Sequence, residues 1–150
     1  MGFSLPTSMG VQVGYPNEEV WSLSGDGGFQ MNSQELMTIA QEKLPIKIGI
    51  LNNNYLGMVR QWQTRFYEDR LAETVLDTQA NFKMLSESMG GVGYRVTTKD
   101  EFDKALDDAI KSNKPALIEV IVDRREEVLP MVPNGHSLSE MLLVENESDK

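Results

Sequence analysis

A chain of 150 residues, 40% hydrophobic and 25% charged, describes one globular domain able to bury about 70% of its unfolded surface. Its net charge of −9 argues against nucleic acid and anionic membranes as partners, since the long-range field repels both. No run reaches the roughly 20 apolar residues of a membrane span. No basic segment leads into an apolar core as a secretory signal would, and zero cysteines exclude disulfides and thiolate metal sites, as suits a cytoplasmic protein.

In chain order, Gly2 to Val13 carries Leu5, Met9, Val11 and Val13 and reads as a short helix, with Pro6 near its first turn and Gly14 just past its end. Val20 to Ser24 is the first strand, and it stops at Gly25-Asp26-Gly27-Gly28. Asn32 reads as an N-cap with Glu35 three residues on, a capping box, and Leu36, Ile39 and Ala40 form the apolar face of that helix. Met31 and Met37 read as packing residues. Ile46 to Leu51 is a near-continuous apolar run, typical of a buried parallel strand, and it stops at Asn52-Asn53-Asn54.

Tyr55 to Tyr67 places Met58, Trp62 and Phe66 on one helical face by their i, i+4, i+8 spacing. Core packing is the plain reading of that face, for Phe66 above all; Arg60 and Arg65 read equally as solvated or functional. Residues 68–80 have no clean period. Phe82, Leu85 and Met89 suggest a helix closed by Gly90-Gly91, and Tyr94 to Val96 a short strand. Thr98 and Glu101 form a second capping box ahead of Phe102, Ala105, Leu106, Ala109 and Ile110, the cleanest helical period in the chain. Asp103, Asp107 and Asp108 on it form a solvated face.

Ala116 to Val122 is the third apolar strand, with Glu119 an anomaly expected near a sheet end or a partner chain. Beyond it, residues 123–127 stay wet, whereas Leu129-Pro130-Met131-Val132-Pro133 is too apolar for an idle linker and reads as a docking arm. His136, the only histidine, has no second ligand or nucleophile beside it, so a histidine-based mechanism has no support. The expected division is a domain over residues 1–122 and a partly disordered arm over 123–150.

Strands alternating with helices indicate an α/β fold with a parallel sheet and right-handed crossovers. If the first two strands are neighbours, the Gly-Asp-Gly-Gly and Asn-Asn-Asn endings share one sheet edge, where open α/β sheets bind ligands. Singly, each ending is a turn or a loop. Together they suggest a magnesium–diphosphate site. Magnesium takes hard oxygen ligands, one or two of them carboxylates, and phosphate oxygens. Asp26 offers a carboxylate, Asn53 an amide oxygen and Tyr55 a backbone carbonyl. Gly27 and Gly28 let their N–H groups approach a phosphate, and the helix that follows points its N-terminus the same way.

Gly25-Asp26-Gly27 and the later Asn pair resemble the diphosphate–magnesium motif of thiamine diphosphate enzymes. The stretches Met1–Pro6, Leu56–Gln63, Arg65–Glu68 and Val128–Gly135 are similar to the large catalytic subunit of acetolactate synthase (acetohydroxyacid synthase), up to about Glu140. The resemblance implies a three-layer α/β sandwich with a mostly parallel sheet, the thiamine diphosphate-binding fold. It implies thiamine diphosphate held by Met1, Asp26, Gly27, Gly28, Asn53, Tyr55, Leu56, Gly57 and Met58, with Mg²⁺ on Asp26, Asn53 and Tyr55. Met1 is either the methionine that supports the bent cofactor or only an initiator. Met58 and Trp62 would stand beside the reactive thiazolium, and residues 68–80 would order over the site.

The implied reaction condenses two 2-oxo acids, pyruvate with pyruvate or 2-oxobutyrate, with loss of CO2, in branched-chain amino acid biosynthesis. The glutamate that activates the aminopyrimidine belongs to another domain in this family, and the flavin (FAD) domain is a third. The chain is therefore expected to be the last quarter of the enzyme, inactive alone and prone to self-association. A homo-oligomer, a regulatory small subunit and a cytoplasmic site (organellar in a plant or fungus) belong to the same expectation. Two alternatives are a split-subunit thiamine-dependent 2-oxo acid decarboxylase or ligase, and a binding module without turnover.

Overall fold

The computed structural model describes residues 1–144; the last six residues, part of the arm expected to be disordered, lie outside the described residues. Four parallel strands form one sheet in the order β1-β2-β4-β3: β1 (Trp21–Gly25), β2 (Lys47–Asn52), β3 (Val92–Val96) and β4 (Ala116–Ile121). The helices are α1 (Ser4–Gly14), α2 (Asp26–Gln30), α3 (Glu35–Gln41), α4 (Gly57–Phe66), α5 (Phe82–Ser88) and α6 (Lys99–Lys111), and a short 3-10 turn covers Leu138–Glu140. No helix among the described residues is long and apolar enough to cross a membrane.

Alternation along the strands builds two cores. On one face Ile48, Ile50 and Leu117 pack with Leu5, Phe29, Leu36, Ile39 and Phe82 of helices α1, α2, α3 and α5. On the other, Val96, Ala116 and Ile118 meet Ala105 and Ala109 of α6. The result is the expected three-layer α/β sandwich. The Thr98–Glu101 capping box starts α6 as its sequence predicts, both reciprocal bonds being present. At its other end the buried Lys47 ammonium donates to the carbonyls of Ser112 and Lys114.

Several expectations are corrected. Asn32 is not an N-cap: the chain passes from β1 straight into α2 at Asp26, α3 begins at Glu35 without a side-chain cap, and the Asn32 amide donates instead to the Gly2 carbonyl. Met31 and Met37 are more than half exposed, since α3 turns Leu36 and Ile39 inward instead, and Val13 is exposed because α1 turns Leu5, Ser8 and Gln12 inward. Glu119 lies at no sheet end. It sits within the central strand β4, beside Ile50 and Arg95, and is 1% exposed.

Helix α4 is turned over relative to its expected packing. Its buried residues are Arg60 and Gln61, while Met58 and Phe66 are exposed and Trp62 is half-buried with its ring edge-on to Phe66. Polar side chains face inward because the arm lies there. The Arg60 guanidinium donates to the carbonyls of Arg125 and Glu126 at 3.0 and 2.7 Å, which removes it from the solvent. The arm docks on its own chain through these contacts, and an antiparallel bridge joins Met131 to Leu142. His136 is exposed, with a carboxylate oxygen of Glu140 3.5 Å away.

Candidate functional site

The register Gly25↔Leu51 brings the ends of β1 and β2 side by side, so the glycine-rich turn and the asparagine loop leave the same sheet edge. After Asn52, two successive side-chain turns shape the loop. Asn52 Oδ1 accepts from the Asn54 N–H at 2.9 Å, and Asn53 Oδ1 accepts from the Tyr55 N–H at 3.0 Å. Asn54 takes a positive φ of 58°, a conformation asparagine tolerates better than most residues.

The Asp26 carboxylate is 1% exposed. Burial pushes its pKa above the usual carboxylate value, and hydrogen bonds from the Gln79 side chain and from the backbone N–H groups of Gly27, Asp26 and Asn54 oppose that rise. The Asn54 contact places Asp26 against the asparagine loop, so the two motifs converge.

Both motifs open on one cavity of about 650 Å³. Its walls include Met1, Asp26, Gly27, Gly28, Asn53, Tyr55, Leu56, Gly57 and Met58. Trp62 is not on that wall. Gly27 is required by space: a Cβ there would lie 2.7 Å from Leu56 Cδ2, 3.2 Å from Leu76 Cδ1 and 3.8 Å from Met1 Cε. Ser24, on the same wall, has a buried hydroxyl without a partner. Helix α2 has only five residues, so whatever it offers an anion comes from single N–H groups and not from a long dipole.

Residues 68–80 lie along the loop. Leu56 N–H donates to the Thr74 carbonyl at 2.9 Å, Leu76 N–H to the Asn54 carbonyl at 2.8 Å, and Tyr55 bridges to Val75. Arg124 stacks over the Tyr55 ring at 4.9 Å and pairs with Asp77 at 2.7 Å. From the arm, Asp123, Glu126, Glu127 and Val128 complete the cavity wall. Asp123, Glu126, Glu127 and Gln79 carry no motif of their own; the resemblance implies only that residues 68–80 order over the site and that Val128 opens a family-like stretch.

The donor set suits a hard divalent cation carrying a diphosphate. Among the described residues no cluster of three or more His, Cys, Asp or Glu side chains is placed to hold a metal. A cation at Asp26 would therefore draw on amide, carbonyl and phosphate oxygens, which magnesium accepts. With acidic residues on the wall from both the glycine-rich turn and the arm, a bare diphosphate would meet repulsion that a bound cation relieves.

Comparison with known proteins agrees with this chemistry. The family described as thiamine pyrophosphate enzyme, C-terminal TPP binding domain, matches residues 1–120. The chain is 48% identical over 142 residues to the acetolactate synthase isozyme 2 large subunit of Escherichia coli, covering 95% of this chain and 26% of that protein. It is 46% identical over 146 residues to the acetolactate synthase large subunit of Corynebacterium glutamicum, covering 94% of this chain and 23% of that one. Among solved structures, a Rhodococcus jostii thiamine diphosphate-dependent 4-hydroxybenzoylformate decarboxylase superposes with a TM-score of 0.77 at 32% identity, over 82% of this chain and 23% of its own. The chain thus spans about a quarter of the length of these relatives. With the glycine-rich turn, the asparagine loop and the sheet edge that joins them all inside the matched region, this chain belongs to the thiamine pyrophosphate enzymes as a C-terminal TPP-binding domain.

Proposed function

We propose that the chain supplies the diphosphate- and magnesium-binding part of an acetolactate synthase large subunit. The observation that carries this reading is the convergence of the Gly-Asp-Gly-Gly turn and the asparagine loop on one cavity, in a chain whose relatives at 40–48% identity are acetolactate synthases. Asp26, the Asn53 amide oxygen and the Tyr55 carbonyl would hold Mg²⁺, which would supply the positive charge that a diphosphate needs beside these acidic walls. Gly27, Gly28 and the loop from Asn53 to Met58 would hold the diphosphate itself, and Met1, on the same cavity wall, would support the cofactor. Met58, on the cavity wall, would form the apolar side toward the acceptor substrate, with Trp62 beside it on the same helix face outside the cavity.

Thiamine diphosphate supplies the electron sink that 2-oxo acid decarboxylation requires, and the protein supplies anchoring, orientation and water exclusion. The complete enzyme condenses pyruvate with a second 2-oxo acid, in the pathway to branched-chain amino acids. It carries FAD outside this chain, assembles as a homo-oligomer with a regulatory small subunit, and works in the cytoplasm or in a plant or fungal organelle. Within the chain, residues 1–122 form the binding domain and residues 123–150 the arm.

The decarboxylase reading draws support from the Rhodococcus jostii structure. Supplying the chain to an E. coli isozyme 2 large subunit lacking its C-terminal quarter, with pyruvate, thiamine diphosphate, Mg²⁺ and FAD, separates the two. Acetolactate formed only when both pieces are present supports the synthase. Free aldehyde without acetolactate supports a decarboxylase, and acetolactate from the chain alone contradicts the division of labour.

A further inference from the structure

Glu119 is a carboxylate in the middle of the central strand, 1% exposed, where every sequence rule calls for an apolar residue. Its Oε1 accepts from Asn52 Nδ2 at 2.8 Å, and the Arg95 guanidinium lies 3.6 Å away. Asn52 Nδ2 also donates to Gln79 Oε1 at 3.0 Å, and Gln79 Nε2 donates to Asp26 Oδ2. Four side chains thus run in hydrogen-bonded series from the core to the candidate cation site.

The series has a fixed polarity. A backbone N–H can only donate, so the Asn54 N–H holds Asn52 Oδ1 toward the loop. The Asn52 nitrogen must then face Glu119 and Gln79, and the Glu119 oxygen receives it. With Gln79 Oε1 occupied by Asn52, its nitrogen is left to face Asp26. That donor holds Oδ2 of Asp26, which fixes the orientation of the carboxylate.

We propose that Glu119, Asn52 and Gln79 are positioning residues that orient the Asp26 carboxylate for its cation. The proposal rests on the reading of Asp26 as a magnesium ligand. Partners behind a metal ligand commonly set metal affinity by ~10–100-fold. Gln79 belongs to a surface segment and is half-buried, so its truncation spares the core.

Mg²⁺ is titrated calorimetrically into the full chain in the presence of excess thiamine diphosphate, and melting is recorded without cofactor. Gln79→Ala is expected to weaken Mg²⁺ binding by about 10–100-fold while melting stays close to that of the unaltered chain. Glu119→Gln gives part of that loss, and the double variant loses no more than Gln79→Ala alone, because the effects pass through one amide. A merely structural role for Glu119 adds in full in the double variant, which overturns the relay, as does unchanged Mg²⁺ affinity in Gln79→Ala. Should Glu119→Gln fail to fold, the Gln79→Ala titration decides by itself. Metal-dependent binding abolished by Asp26→Ala, with Gln79→Ala unaffected, sinks the relay and spares the site; no metal-dependent binding by the unaltered chain overturns both.

Discussion

The side-chain amide of Gln61 pairs with both backbone polar groups of Val128: the Val128 N–H donates to Oε1 at 2.8 Å, and Nε2 donates to the Val128 carbonyl at 3.2 Å. A glutamine on α4 therefore does what a neighbouring strand would do, and it holds the arm against the cavity. Arg60, one position earlier, takes the two carbonyls at residues 125 and 126. Gln61→Ala removes both hydrogen bonds to Val128, which is exposed enough for water to replace them, at a cost of about 0.5–1.5 kcal/mol each. Trypsin, which cuts after Arg124 and Arg125, is expected to cleave the variant several-fold faster than the unaltered chain. Equal cleavage rates would show that the arm is held by something else.

Gly93 lies where α5 passes over β3. A Cβ at this position would stand 2.4 Å from the Lys83 carbonyl oxygen and 2.8 Å from its Cα, and both are backbone atoms that cannot step aside. Gly93→Ala must push α5 off the sheet, and a loss of roughly 3 kcal/mol or more is expected from that overpacking. Thermal unfolding measures it. Gly10→Ala, on the open side of α1 with nothing within 4 Å of the added methyl, is the control and is expected to stabilise slightly.

Asp26 carries a pH signature in the cofactor-free chain. Burial raises its pKa, so the folded chain binds that proton more tightly than the unfolded chain does. The associated stability is fully present below the unfolded carboxylate value, about 3.9 for Asp, and is lost as pH rises through the folded value. Asp26→Asn keeps an oxygen for Gln79 and removes the buried charge. It is expected to melt higher than the unaltered chain at neutral pH, with the difference closing in acid. A variant that melts lower at neutral pH would mean that the charge is already compensated.

Much of this was readable from the chain. Apolar runs located β1, β2 and β4 to within a residue or two; the inner strands β2 and β4 are mostly buried and have little else to be, and the edge strand β1 is marked by its stop at the glycine-rich turn. The Thr98 capping box and the period behind it fixed α6 because that signal is local. The Asn32 box failed for a non-local reason: the strand-to-helix turn at Asp26 displaced the helix start, and Gly2, distant in sequence, claimed the side chain. Arg60 and Gln61 were invisible because their partners are the backbone of the arm, 65 residues or more along the chain, and polar side chains that bury themselves on backbone leave no period. Gln79 was hidden because its two partners, the Asn52 and Asp26 side chains, lie 27 and 53 residues away and leave no local pattern.

The central claim is that Asp26 and Asn53 converge on one divalent cation that carries a diphosphate. Titrating thiamine diphosphate into the full chain with and without Mg²⁺, beside Asp26→Ala and Asn53→Ala, tests it most directly. The account predicts saturable binding that requires Mg²⁺ and disappears in both variants while their folds persist. Binding indifferent to Mg²⁺, or undiminished in Asp26→Ala, would contradict it.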